Sequence, residues 1–569
     1  MDNPGEEFEA APPPDLLPTT PLDQLLTQAA LGPARRFLPD RSGLRFAGAL
    51  ARRPERLATR LGGLAGELAR IAVGASEVAP STRDRRFADA AWTQNPVLRR
   101  LVQAYLAVGG TVEGLVEDVP LEWKDAERVR FVTSNLVEAA APSNNPLFSP
   151  VGWKAVLDTA GGNVVAGSRH LLGDLASSPR VPSMVEPDAY EVGEDLALTP
   201  GAVVVRTPVF ELIQYRPQTP TVRALPVLVV PPTINKYYIL DLAPGRSLVE
   251  YLVQQGMQVF VVSWRNPDAR HSTWGFDAYV QAILSALDAV EDICGVDCTH
   301  VVAACSGGIL ASIAAAHLAA TGQEHRLASL DLLVTLLDQS RAGLLSAMLD
   351  ERTAARAVAA SRRRGYLDGR RLAEVFAWLR PGDLVWNYWV NNYIQGRKPP
   401  KFDILYWNAD TTRMTAQLHH DFVDVAMHNR LAEPGGVTVL GTDIDLERVP
   451  VDSYVVAGSA DHICPWQACY RSARLLGGKV RFVLSTNGHI AALVNPPGNP
   501  KSSYRVSDDM TAEAADWERL AATQKGSWWP DFASWLVERS GEEKPAPADL
   551  GNERFRVSED GPGSYVLDT

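Results

Sequence analysis

His300-Val301-Val302-Ala303-Ala304-Cys305-Ser306-Gly307-Gly308-Ile309-Leu310 is the stretch whose reading decides the fold. Residues 300–320 contain no Asp, Glu, Lys or Arg, as a membrane span would, but the turn signal Cys305-Ser306-Gly307-Gly308 interrupts the run near its start. A buried strand over 299–304, a tight turn, and a buried helix restarting at Gly308 account for it better than a bilayer helix does. Where a strand and the following helix cross closely, the positions two before and two after the tip of the turn must be small. Ala303 and Gly307 satisfy this with Cys305 at the tip, and Ala304 and Gly308 satisfy it with Ser306 there. The pattern alone leaves both registers open.

Moving outward, short β-branched runs at 202–206, 225–230, 257–262, 329–336, 452–457 and 479–484 alternate with helix-length segments near 246–255 and 276–293. That rhythm predicts a parallel sheet with helices on both faces. The last two strands run into Gly458-Ser459-Ala460-Asp461-His462 and Ser485-Thr486-Asn487-Gly488-His489. Parallel strands bring both loops to the sheet edge that carries the turn, and the chain order nucleophile, acid, histidine is that of an α/β-hydrolase triad. Asp461 and His489 are the expected acid and base, with His462 in support. An oxyanion hole requires the amide N–H after the nucleophile, which is Ser306 if Cys305 is at the tip. It also requires one from the loop Pro231-Pro232-Thr233-Ile234-Asn235, where Ile234 is favoured.

The predicted architecture is α/β: an α/β-hydrolase fold with an inserted cap (lid) subdomain, preceded by a mostly α-helical N-terminal domain. Residues 1–20, with Pro12-Pro13-Pro14, Pro18 and several acids, read as a disordered tail. Residues 21–195 carry helical periodicity such as Leu98, Leu101, Val102, Tyr105 and Leu106. The catalytic domain spans 196–540. Within it, residues 339–445 interrupt the strand rhythm with many aromatics, among them Trp378, Trp386, Tyr388, Trp389, Tyr393, Tyr406 and Trp407, which predicts a cap with an aromatic core of its own. Residues 541–569, rich in Pro, Gly and acids, predict an extended C-terminal arm.

Composition excludes several classes. A hydrophobic share of 46% with 21% charged residues is that of a globular chain, and the mean hydropathy of −0.09 is far from membrane-like. Fifty-five basic against 67 acidic side chains give a net charge of −12 and no global field for nucleic acid. Five cysteines and an N-terminus without a charged-then-apolar leader predict a reducing cytoplasm and no disulfides. No metal site is expected: Cys294, Cys298 and His300 form one weak pair, Cys464 and Cys469 another, and His419, His420 and His428 lack partners at ligand spacing.

Further blocks extend the reading. They are Phe87-Ala88-Asp89 with Trp92-Thr93-Gln94-Asn95-Pro96, and Pro231-Pro232-Thr233-Ile234-Asn235-Lys236-Tyr237-Tyr238. Next come Val262-Ser263-Trp264-Arg265-Asn266-Pro267, Trp386-Asn387-Tyr388-Trp389-Val390-Asn391-Asn392-Tyr393, and Asn495-Pro496-Pro497-Gly498-Asn499-Pro500. With the turn and the two triad loops, they resemble the polyhydroxyalkanoate (PHA) synthases, most closely the class II, medium-chain-length type, from about residue 85 to about 540. The resemblance implies that the nucleophile is the cysteine of a Gly-x-Cys-x-Gly-Gly box, here Cys305, with Ala303 in place of the first glycine. It also marks Cys464 as a thiol outside the family's pattern.

What the resemblance implies is an acyltransferase that polymerises (R)-3-hydroxyacyl-CoA into polyester and releases CoA through a covalent acyl-cysteine. It implies no cofactor and a cytoplasmic location at the surface of the polyester granule among granule-associated proteins; the apolar surface that a mobile cap over 339–445 exposes on opening predicts a homodimer. A thiolate suits such chemistry, since it exchanges one thioester for another and keeps the acyl group activated. The rival readings are an ester hydrolase or depolymerase using Ser306, and a non-catalytic granule-surface protein.

Overall fold

Runs of Val, Leu, Ile and Ala without alternation demand burial on both faces, and a parallel sheet under two helix layers supplies it. In the computed structural model, which describes residues 41–569 apart from 83, 177–178, 340–350 and 380, these runs form the centre of an eleven-stranded sheet. The tail expected over 1–20, and residues 21–40 of the helical half, lie outside the described residues. The strands are β1 (Gly201–Arg206), β2 (Phe210–Tyr215), β3 (Val227–Val230), β4 (Val259–Trp264), β5 (Thr299–Ala304), β6 (Leu327–Leu333), β7 (Ser453–Gly458), β8 (Val480–Ser485), β9 (Ser503–Ser507), β10 (Ala522–Lys525) and β11 (Glu559–Asp560). Their spatial order is β10-β9-β8-β7-β6-β5-β3-β4-β2-β1-β11. From β4 to β8 the neighbours are parallel, and both flanks are antiparallel.

Strand β5 coincides with its predicted span, β6 ends three residues before its predicted end, and the other predicted strands lie within about two residues of theirs. β2, β9, β10 and β11 were not anticipated. The residues of β2, Phe-Glu-Leu-Ile-Gln-Tyr, carry polar Glu211 and Gln214, yet both are buried. Glu211 is accommodated by Arg206 Nε at 2.7 Å. β10 is exposed along its whole length, so no apolar pattern marks it.

Successive β5 side chains feed the two faces of the sheet. Val301 and Ala303 join Leu228, Phe260 and the helices Phe276–Cys294 and Ser306–Ala320 on one side; Val302 and Ala304 join Tyr238, Trp528, Trp529 and Phe532 on the other. The stretch around 300–320 is strand, turn and helix, and no helix among the described residues is long and apolar enough to cross a membrane.

Helices occupy most of the described chain from Arg41 to Ala176, including Pro96–Glu117, whose Leu98, Val102, Tyr105 and Leu106 pack around Phe87 and Trp92. Of the insertion's aromatics, Trp378, Trp386 and Tyr388 pack with Ala377, Val385 and Leu405 in a separate cluster that also takes in Val181 and Met184, while Tyr406 and Trp407 join the core on one face of the sheet. Trp378, Trp386, Trp389 and Tyr393 stack edge to face in sequence, with ring centroids 6.1, 5.8 and 5.1 Å apart. That row docks on the N-terminal half through Trp389 Nε1 to Asn144 O (3.0 Å), Tyr393 OH to Asp174 Oδ2 (2.7 Å) and Asn392 Nδ2 to Ser183 O (2.7 Å).

The C-terminal segment is fastened along its length. Glu543–Pro545 pairs with Thr221–Arg223, β11 closes the edge beside β1, and Tyr565 and Val566 are buried. Buried Lys236 donates through Nζ to Val566 O at 2.6 Å and Asp568 O at 2.5 Å. Lys236→Met keeps the stem but removes these charge-assisted bonds, worth about 1.5–3 kcal/mol each. Amide exchange over 558–568 should then accelerate at least about tenfold while β4–β8 stay protected, and unchanged exchange would show that Lys236 does not hold the segment.

Candidate active site

β5 delivers Cys305 to the tip of the turn, with φ 51° and ψ −120°, outside the regions a residue with a side chain prefers. Such strain costs about 1–3 kcal/mol and persists only when its surroundings enforce it. They do so here. The Cys305 N–H donates to Leu333 O at 2.9 Å, tying the tip to β6, and Cys305 O accepts from Gly308 N at 3.0 Å as the helix begins. A Cβ on Gly307 would stand 2.3 Å from Pro231 O, and one on Gly308 2.1 Å from Thr335 Oγ1. Cys305 is therefore the strained corner, and Ser306 is the first residue of the helix.

Ser306 has a second part that the sequence does not announce. Its hydroxyl, fully buried, accepts the Thr233 N–H at 2.9 Å. This joins the turn to the loop carrying Ile234, whose carbonyl in turn accepts Thr412 Oγ1 at 2.6 Å from the insertion. Trp407 Nε1 donates to Lys236 O at 2.7 Å, so the same loop is gripped from two sides.

Asp461 follows β7 and is buried. Its Oδ1 accepts the N–H groups of Ile463 and Cys464, both at 2.8 Å, and its Oδ2 lies 2.6 Å from His489 Nδ1. His489 opens the short helix His489–Leu493 after β8. With Nδ1 turned to Asp461, Nε2 is the nitrogen left for the sulfur. Cys305 Sγ, Cys464 Sγ and the His489 imidazole lie within 4.8 Å of one another. Thus Cys305, Asp461 and His489 come together from three separate loops, and Cys464, which sequence alone did not place in the site, joins them. The signal available was its place three residues after Asp461. His462 is half-buried beside the acid.

The remaining histidines lie elsewhere. His419 bonds Ser361 Oγ at 2.6 Å, His420 and His428 pair with Asp421 and Asp424, and His300 bonds Ser329 Oγ at 2.7 Å inside the core.

The thiol of Cys305 is pulled down to about 5, first by the hydrogen bond from the Cys464 thiol, against burial, and further by His489 and the Ser306 N–H. Burial alone would lower His489, but the Asp461 carboxylate and the Cys305 sulfur outweigh it and raise the imidazole to about 10. Burial and the neighbouring sulfur push Cys464 well above the ordinary thiol range. The site is arranged for a thiolate–imidazolium pair beside a neutral thiol.

Two family models match. One described as "Poly-beta-hydroxybutyrate polymerase (PhaC) N-terminus" covers residues 83–252, and one described as "alpha/beta hydrolase fold" covers 226–496. Poly(3-hydroxyalkanoate) polymerase 2 of Ectopseudomonas oleovorans is 46% identical over 516 residues, covering 91% of this chain and 92% of its own. Polymerase 1 of the same organism is 44% identical, covering 88% and 89%. The poly(3-hydroxyalkanoate) polymerase subunit PhaC of Cupriavidus necator is 40% identical, covering 87% and 85%.

Because the Cys305 pKa is depressed, its contribution to stability is complete above the unfolded thiol value and is lost as pH falls through about 5. Because that of His489 is raised, its contribution is complete below the unfolded imidazole value and is lost as pH rises through about 10. Alkylation of Cys305 by iodoacetamide should therefore keep its rate down to about pH 5, and a midpoint near the ordinary thiol value of about 8.5 would remove the ion pair. Ser306→Ala strands the buried Thr233 N–H and should cost about 1–3 kcal/mol in urea unfolding; a change within error would show that the staple contributes nothing.

Proposed function

The chain belongs to the polyhydroxyalkanoate polymerase family, and from that premise we propose that it polymerises (R)-3-hydroxyacyl-CoA through an acyl-Cys305 intermediate. It is an enzyme of the acyltransferase class, on an α/β-hydrolase fold. The observation that carries the mechanism is Cys305 at a strained corner against His489, itself held by buried Asp461.

The Cys305 thiolate attacks the thioester carbonyl, and the oxygen that becomes negative accepts the N–H groups of Ser306 and Ile234. Collapse expels CoA as a thiolate, which takes the His489 Nε2 proton and leaves as the free thiol. The 3-hydroxyl of a chain end then attacks the acyl-Cys305 carbonyl. His489 Nε2, now neutral, accepts the hydroxyl proton as the C–O bond forms and the C–S bond breaks, which restores the thiolate–imidazolium pair. Asp461 keeps Nδ1 protonated and the ring aligned. His462, next to the acid, supports that loop.

Serine chemistry at Ser306 is disfavoured by the engagement of its buried hydroxyl with Thr233. A non-catalytic granule-surface role leaves the triad and its perturbed thiol without a purpose. The polyester product is insoluble, so the working location we infer is the granule surface in the cytoplasm, with granule-associated proteins and a second copy of the chain as partners.

Rapid quenching with 3-hydroxyacyl-CoA of graded length should give an acyl mass increment on the peptide bearing Cys305, together with stoichiometric CoA release. Cys305→Ala should yield neither while remaining folded. His489→Gln and Asp461→Asn should slow CoA release by at least ~10²-fold, the lower end for loss of a general base or its orienting partner. An acylated peptide lacking Cys305, or near-normal rates in either variant, would overturn the assignment.

A further inference from the structure

Cys464 makes of the nucleophile pair something that neither Cys305 nor His489 forms alone: three donors of soft or borderline character facing one point. We propose that Cys305, Cys464 and His489 constitute a site for a zinc-type divalent cation, whose occupancy silences the nucleophile.

The geometry is the first support. Zinc takes thiolate sulfur at about 2.3 Å and imidazole nitrogen at about 2.0–2.1 Å in a tetrahedron, which sets donor separations of about 3.5–3.8 Å. The three donors here already lie within 4.8 Å of one another. The remainder is a closure of about 1 Å between donors.

The surroundings are the second support. A metal-bound histidine characteristically gives its other ring N–H to a carboxylate, which fixes tautomer and ring plane. His489 Nδ1 has that partner in Asp461 Oδ2 at 2.6 Å. The same carboxylate holds the Cys464 N–H at 2.8 Å through its other oxygen, so one group orients two of the three ligands. All three side chains are buried, at 9% exposure or less, in a setting where water competes poorly.

The balance of charge is the third. Binding displaces two protons, one from the Cys464 thiol and one from His489 Nε2, and leaves two thiolates against a dication. Three protein ligands with one position open to water or a thiol is the composition of an open zinc site. Here, however, the metal takes the sulfur lone pair that would attack substrate. Without Cys464 the site drops to two protein donors.

Anaerobic titration of the reduced full-length protein with Co2+ tests this independently of any polymerase assay. The expected result is one equivalent bound, with sulfur-to-cobalt charge-transfer absorption at the intensity of two thiolates, bleached by Zn2+. Cys464→Val and Cys305→Ala should each halve that intensity. The affinity for Zn2+, read against a chromophoric chelator, should fall at least about 100-fold in Cys464→Val, since loss of even an outer partner costs about 10–100-fold. X-ray absorption at the zinc edge of the loaded wild-type protein should give two sulfurs in the first coordination sphere, a reading that needs no variant to fold. Absence of the charge-transfer band, a spectrum untouched by Cys464→Val, or a zinc shell with fewer than two sulfurs would overturn the proposal, the second and third outcomes placing the ion elsewhere or on Cys305 alone.

Discussion

Everything at the site depends on how closely the helix Ser306–Ala320 crosses the loop after β3. Gly307 has no side chain because Pro231 O and Val230 O occupy the space a Cβ would need. That approach lets Ser306 Oγ reach the Thr233 N–H and lets Trp264 Nε1 close on Pro231 O at 3.0 Å from the far side. The turn and the loop after β3 are thereby tied together, and the strain at Cys305 is held by backbone bonds to β6 and to the helix rather than by its own side chain. Because strand, turn and helix share one main chain, the thiol needs no side-chain contact to be aimed.

The charge arrangement follows from burial. In its ion-pair form the set Asp461, His489 and Cys305 carries one net negative charge away from water, which would be costly if left unanswered. The Ile463 and Cys464 N–H groups meet it at the acid, and the first turn of the elbow helix and the Cys464 thiol meet it at the sulfur. Cys464 thus acts as a hydrogen-bond donor to the Cys305 sulfur, and its own proton is correspondingly hard to remove.

How much of this was legible in the sequence divides along physical lines. The β5 run and its turn were readable because both faces of a parallel strand are buried, so its composition is unmistakable. The meeting of Asp461 and His489 was readable because parallel strands bring both loops to one sheet edge. β10 was not, since an exposed edge strand needs only backbone partners, and β2 hid a buried carboxylate that makes sense only with Arg206, Ser564 and the Tyr565 N–H beside it. The two registers of the turn were inseparable by side-chain size and were separated by the backbone angle at Cys305. The insertion's own aromatic cluster was legible, but not the surface its row meets, because period and composition do not say what an aromatic face packs against. Its partners, Asn144, Asp174 and Ser183, lie more than two hundred residues earlier in the chain.

The fastening of Lys236 by Val566 and Asp568 joins residues 330 and 332 positions apart. Loops of that length close late, because the entropy of bringing their ends together is lost before any contact compensates for it. The bond between Cys305 and Leu333 closes within a single strand–helix–strand unit and forms early on the same reasoning. During refolding the thiol is accordingly expected to reach its corner, with the loop after β3 tied to it through Ser306 and Thr233, before the C-terminal segment docks on Lys236. Assembly of the turn and burial of the C-terminal segment are then separate kinetic events.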